Sequence, residues 1–269
     1  MKKQISILFI GIATLMASCS SDEPTPALIQ PTLPGSSDVR VKSITHRGNM
    51  NGCYDWQFAY TGTRLTSASA TLYNPTSVNI QYGSQLIYGE NSVSIVNTGN
   101  LAMGLTLDEN HNITYLTANK DEYRFVYNEG RLTAWDKIVK DVNFGADVSR
   151  ARADIEYVNG DLKTIAYYEN NDAPTYYRFT PSDIPNTNGL LPELMSKPFG
   201  CFGFEHLYYA GLMGNATKRL VKSIEIDYPE ASGHQDYELH FNYSVNKDGM
   251  VELCTFTYNG EAARADYTY

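Results

Sequence analysis

The sequence predicts a mainly β protein, a curved antiparallel meander closing into a partly open β-barrel with one short helical insertion. Three observations predict it. The first is a recurring hairpin, seen most plainly in Tyr123–Ala134. Tyr123, Phe125 and Tyr127 share one face of an extended segment, and Asn128-Glu129-Gly130 turns the chain into a second run from Arg131. The second is spacing: about 15 strand candidates recur at roughly 8–12 residues, as in a barrel or sandwich. The third is that helical spacing is confined to one stretch, about 186–214.

The chain opens on a processing signal. Lys2 and Lys3 precede an apolar run, Ile5 to Ala17, which is too short for a relaxed membrane span and fits a secretory signal over 1–18. Leu15-Met16-Ala17-Ser18-Cys19 resembles the lipobox of bacterial lipoproteins. That resemblance implies cleavage before Cys19 and acylation of its thiolate, the nucleophile that takes the diacylglycerol. Ser20-Ser21-Asp22-Glu23 looks like the acidic export signal of Bacteroidetes-type surface lipoproteins. It implies an outer-membrane anchor facing the cell surface, with a periplasm-facing tether as the alternative. The linker, 19–38, carries Pro24, Pro26, Pro31 and Pro34 and no aromatic residue. Fully extended it would reach on the order of 50–60 Å. One domain, 39–269, follows.

Removing 1–18 takes away two lysines and no acid, so the net charge moves from −9 to −11. An acidic surface argues against nucleic acid as a partner and leaves the bilayer, reached through acylated Cys19, as the expected one. Cys53, Cys201 and Cys254 remain, enough for one internal disulfide at most, and whether any two pair is open. No spacing suggests a metal site, and no motif suggests a cofactor.

Within the domain, Val39, Val41, Ser43 and Thr45 set one face of an opening strand. Trp56, Phe58 and Tyr60 repeat the aromatic hairpin, turned by Thr61-Gly62-Thr63 into Arg64-Leu65-Thr66. Short apolar runs follow at Val78–Tyr82, Gln85–Tyr88 and Val93–Val96, divided by Gly83 and Gly89. Asp108, Asn110 and Asn112 match the start of a calcium loop, but Ile113 stands where that loop needs glycine. A turn is the better reading. Tyr157 to Leu162 repeats the hairpin again.

The β pattern then lapses. Asn188 is placed to cap a helix at Leu190–Met195. Phe204, Leu207, Tyr208 and Leu212 have helical spacing, ending at Gly214. This insertion is expected to plug the sheet. Strands resume at Ile224, Ile226 and Tyr228. In the next one Tyr237, Leu239, Phe241 and Tyr243 should face the core, with Glu238, His240 and Asn242 in solvent. The last strand spans Ala265–Tyr269.

Aromatic hairpins ending in Gly-x-Leu, the segment Leu207–Gly214, Lys218–Ile224 and a closing Tyr-x-Tyr resemble one lipoprotein group of Bacteroidetes-type bacteria. It is a domain family of unknown function described as having a porin-like fold. The resemblance implies a curved antiparallel barrel and no activity, catalytic residue or ligand.

A non-catalytic, membrane-anchored binding or structural module fits best. The 21 tyrosines offer rigid contact area with a polar tip, suited to glycan, peptide or apolar ligands. A cell-envelope hydrolase with a carboxylate-based site is the alternative, because paired carboxylates leave no local signature. Glu205 and His206 are adjacent, and neighbouring helix positions diverge. A membrane-spanning barrel would need strands of about 9–11 residues, longer than most runs here.

Overall fold

The computed structural model describes residues 34–269 except 37, 49, 51–52, 73–79, 91, 98–101, 119–120, 141–146 and 171. The leader, Cys19 and nearly all of the linker lie outside the described residues. The first strands are β1 (Ser43–Gly48), β2 (Tyr54–Thr61), β3 (Arg64–Leu72), β4 (Ile80–Tyr88), β5 (Ser92–Asn97) and β6 (Ala102–Leu107). Next come β7 (Ile113–Ala118), β8 (Asp121–Asn128), β9 (Arg131–Lys140), β10 (Asp147–Val158), β11 (Asp161–Glu169) and β12 (Thr175–Pro185). After the insertion and its helix α1 (Glu205–Tyr209) follow β13 (Arg219–Asp227), β14 (Tyr237–His240), β15 (Asn242–Val245), β16 (Val251–Tyr258) and β17 (Glu261–Thr268).

Neighbours in sequence pair antiparallel nearly throughout, and β17 returns to β1, so the meander closes into a barrel. One seam is imperfect. The strand expected to be unbroken from Tyr237 to Tyr243 is interrupted at Phe241. Its first half, β14, pairs β13, and its second half, β15, pairs β16. β16 pairs β15 only as far as Thr255, and its last residues, Phe256–Tyr258, are in the ladder with β17 on their other edge and in none with β14. The break also changes the expected facing. Leu239 and Phe241 are buried, but Tyr237 is 36% exposed at the splayed edge. Other strand expectations shift too. Ile80–Tyr82 and Gln85–Tyr88 belong to one strand, with Gly83 inside it, while Val78 and Asn79 lie outside the described residues.

The repeated hairpin has a physical basis. At Glu129-Gly130, Asn159-Gly160 and Asn259-Gly260 both turn residues have positive φ, the two-residue turn that matches strand twist. A bulge two residues upstream recurs in the hairpins at Val126/Tyr127, Glu156/Tyr157 and Ala59/Tyr60. In two of them the extra residue is a threonine whose hydroxyl satisfies the carbonyl across from it: Thr133 donates to Val126 O at 3.2 Å and Thr66 to Ala59 O at 3.1 Å. The Gly-x-Leu leucines Leu132 and Leu162, and Leu65 three residues after Gly62, are all buried, so each of these hairpins contributes one to the core.

The bore is filled by the insertion between Pro185 and Arg219. It docks on the turn end of the barrel, where Asn215 N donates to Gly130 O at 2.7 Å and Lys218 N to Gly160 O at 3.0 Å. Ile113 N donates to Leu212 O at 2.8 Å. Deeper in, Trp135 Nε1 on β9 donates to Pro198 O at 2.7 Å. Phe204 meets Tyr123 on β8 edge-on with ring centres 5.6 Å apart, and Tyr209 meets Phe58 on β2 at 5.2 Å. Gly200 has φ +69°, and a Cβ there would lie 2.5 Å from the Trp135 indole, so only glycine fits.

The expected stripe does pack inside, with Leu207, Tyr208 and Leu212 buried. The helical expectation was too generous. Leu190–Met195 is a chain of turns, because Asn186 clasps both the N–H and the C=O of Leu190 and Leu194 has φ +66°. The remaining helix, α1, has five residues and ends before Gly211.

Candidate functional site

The three cysteines are free, Cys201 and Cys254 buried and Cys53 partly so. At Asp108 the carboxylate takes the N–H groups of Asn110 and Asn112 at 2.9 and 2.8 Å, which makes the segment a side-chain-tied turn. Among the described residues no group of three or more His, Cys, Asp or Glu is arranged to hold a metal ion.

A cluster missed in the sequence lies where β1, β2 and β17 meet the plug. Ile44 on β1 sits opposite Trp56 on β2 and Tyr267 on β17. Two residues on, His46 points the same way. Its N–H donates to Asp55 Oδ1 at 2.7 Å, prolonging the β1–β2 contact beyond the last ladder pair. Its ring lies between two acids, Nδ1 3.2 Å from Asp55 Oδ1 and Nε2 3.0 Å from Glu193 Oε2. The Tyr267 hydroxyl donates to the other oxygen, Glu193 Oε1.

Burial alone would push the imidazole down, but Glu193 and Asp55 outweigh it and carry the pKa up to about 10. His46 is therefore an imidazolium donating from both nitrogens, and it cannot serve as a base near neutral pH. The Cys53 thiol is pushed up to about 12 by burial and by Glu193, Glu205 and Asp55, which rules out an activated thiolate.

Glu205 and His206 on α1, read as neighbours with diverging directions, have unlike surroundings. His206 packs against Trp56, ring centres 5.1 Å apart, and burial drives it down to about 3, so its ring is neutral. Glu205 turns into the cavity. Burial raises its carboxyl to about 7, against the lowering effect of nearby amides, the Ser196 hydroxyl and His46.

The cavity lies between plug and wall beside the splayed seam and encloses about 250 Å³. Glu193 and Glu205 line its plug side. Tyr177, Tyr228, Tyr237 and Tyr258 line its wall, with Tyr54 and Phe202 packed 5.4 Å apart across from them. Chemically this is a small recess with aromatic sides, one titratable acid and a fixed ion cluster behind it.

Fold and recess together define a plugged antiparallel barrel with a side cavity. No protein-family model matches the chain, and no curated protein does either. Among solved structures it is similar to a porin-like protein from Bacteroides uniformis, with a TM-score of 0.67 at 15% identity, over 88% of this chain and 98% of that one. A porin-like protein from Bacteroides vulgatus is similar over 86% and 99%, with a TM-score of 0.52 at 13% identity. At such identities the shared property is the fold, which is porin-like.

Proposed function

We propose that this protein is a lipid-anchored envelope module, held on the outer membrane through Cys19 and facing the cell surface, that binds a ligand without catalysing its conversion. The observation that carries the reading is the aromatic-walled cavity beside a bore that the chain itself fills. A filled bore does not conduct. The barrel wall also carries Arg152, Asp154, Glu156, Arg178, Lys222, Glu225, Glu238 and Arg264 on its exposed side. Cationic side chains at a bilayer midplane cost about 2–4 kcal/mol each, so this girth favours water over lipid and leaves the membrane contact to the anchor. The lipobox-like Leu15–Cys19 and the proline-containing linker supply that anchor and its spacer.

Mass measurement of the membrane form should give an acylated chain beginning at Cys19, and the chain lacking 1–19 should stay in solution without detergent. Unmodified Cys19, or a truncated chain that still partitions into membranes, would contradict the reading.

A carboxylate-based hydrolase is the second reading. It is favoured by Glu193 and Glu205 lining one cavity and by a Glu205 carboxyl near the range of a general acid. It stands second because both Glu193 oxygens are taken, one by His46 and one by Tyr267, so this carboxylate has no oxygen to spare for attack.

A further inference from the structure

Glu205 lines the cavity and is 7% exposed, and its Oε2 is buried without a hydrogen-bond partner. A buried acceptor left without a donor is costly, and more so when it is charged. Two cations line the same cavity, and both are committed elsewhere. The His46 ring lies between Glu193 and Asp55. Lys197 Nζ pairs with Glu169 at 3.0 Å and rests 5.4 Å from the Tyr167 ring centre. The rest of the lining mixes aliphatic side chains with eight aromatic ones, Tyr237, Tyr228 and Phe202 among them, and ring faces attract cations.

We infer that the cavity binds a small organic ammonium ion, its charged nitrogen against the Glu205 carboxylate and its carbons against the tyrosine and Phe202 rings. This deepens the binding-module reading and rests on it. A volume of about 250 Å³ is below the roughly 300–1,000 Å³ of drug-sized sites, so the ligand is an amine of few carbons. A neutral polar ligand would leave Glu205 in an environment that penalises its charge, whereas a cation replaces the missing partner and favours ionisation.

The groups close to Glu205 are His46 from β1, Cys53 just ahead of β2, and Ser196 and Cys201 of the plug; Glu193, Lys197 and the tyrosines line the same cavity, and Asp55 on β2 is paired with His46. Both thiols are raised by burial, and His46 and Cys53 titrate far above neutrality, at about 10 and about 12. Near neutral pH it is the Glu205 carboxyl, at about 7, that gains charge. Ammonium affinity should therefore rise roughly tenfold from about pH 6 to about pH 8.

Titration calorimetry on the full chain decides the matter, using methylammonium, ethanolammonium and benzylammonium, each beside its neutral isostere. The expected result is binding of at least one cation, no binding of its isostere, and the pH rise just given. Glu205→Gln should weaken that binding more than about tenfold and flatten its pH profile, while Tyr237→Ala should weaken it at every pH. Failure of all three cations, equal binding of an isostere, or unchanged affinity in Glu205→Gln would overturn the inference. A neutral sugar that binds in the cavity, needs Tyr237 and ignores Glu205→Gln would overturn it while leaving the binding-module reading intact.

Discussion

Replacing His46 with alanine should destabilise the protein by about 3–5 kcal/mol, the cost of removing one partner from a buried ion pair. The His46 and Glu193 side chains are each only 8% exposed, so removing the imidazolium strands a carboxylate that water cannot reach. Tyr267 still donates to Glu193, but a neutral hydroxyl does not replace a full charge. Denaturant unfolding will measure the loss. The companion variant His46→Leu with Glu193→Met should recover part of it: the buried pair leaves no charge behind and Asp55, 32% exposed, keeps the backbone N–H of residue 46, but the Tyr267 hydroxyl loses its acceptor. The loss should also depend on pH. His46 titrates at about 10 when folded against an ordinary 6.5, so its contribution is complete below about pH 6.5 and disappears as pH rises through 10.

Glu205→Gln should make stability less sensitive to pH. The folded carboxyl titrates at about 7 against an ordinary 4.5. A raised acid is neutral in both folded and unfolded chains at low pH. As pH passes 4.5 the unfolded chain ionises first, and the folded state loses ground until about pH 7. The displacement of about 2.5 pH units corresponds to about 3 kcal/mol. Relative to wild type, the glutamine variant should therefore gain about 3 kcal/mol between about pH 4.5 and pH 8. Taking the difference between the two proteins removes the contribution of the other carboxylates. A parallel pH profile would show that Glu205 is better solvated than its burial implies.

The barrel was legible because its rule is local. Period-two alternation and turn residues are written inside the hairpins, and the Tyr123–Ala134 unit alone carries the face, the Gly-x-Leu turn and the buried leucine. The site was hidden because it is assembled from distant residues: His46 and Glu193 are 147 positions apart. A further reason lies in β1. Reading Val39, Val41, Ser43 and Thr45 as one face put His46 outside, whereas Val41, Ile44 and then His46 point inward, so the inward phase changes between 41 and 44. The plug was recognisable from the lapse of alternation, but its turns were not. Asn186 ties Leu190 by side-chain bonds that compete with a helix, and apolar spacing is blind to them.

The account turns on the insertion being a fixed filling of the bore, and amide hydrogen exchange tests that most directly. The N–H groups of Leu207, Ala210, Gly211 and Leu212 all bond within the plug, at 2.7 to 3.1 Å. If the plug is part of the core, they open only with global unfolding and should exchange as slowly as the ladder amides of β9 and β10. Fast exchange of these four amides, in a protein whose β9 and β10 stay protected, would make the segment a mobile lid and contradict the filled barrel.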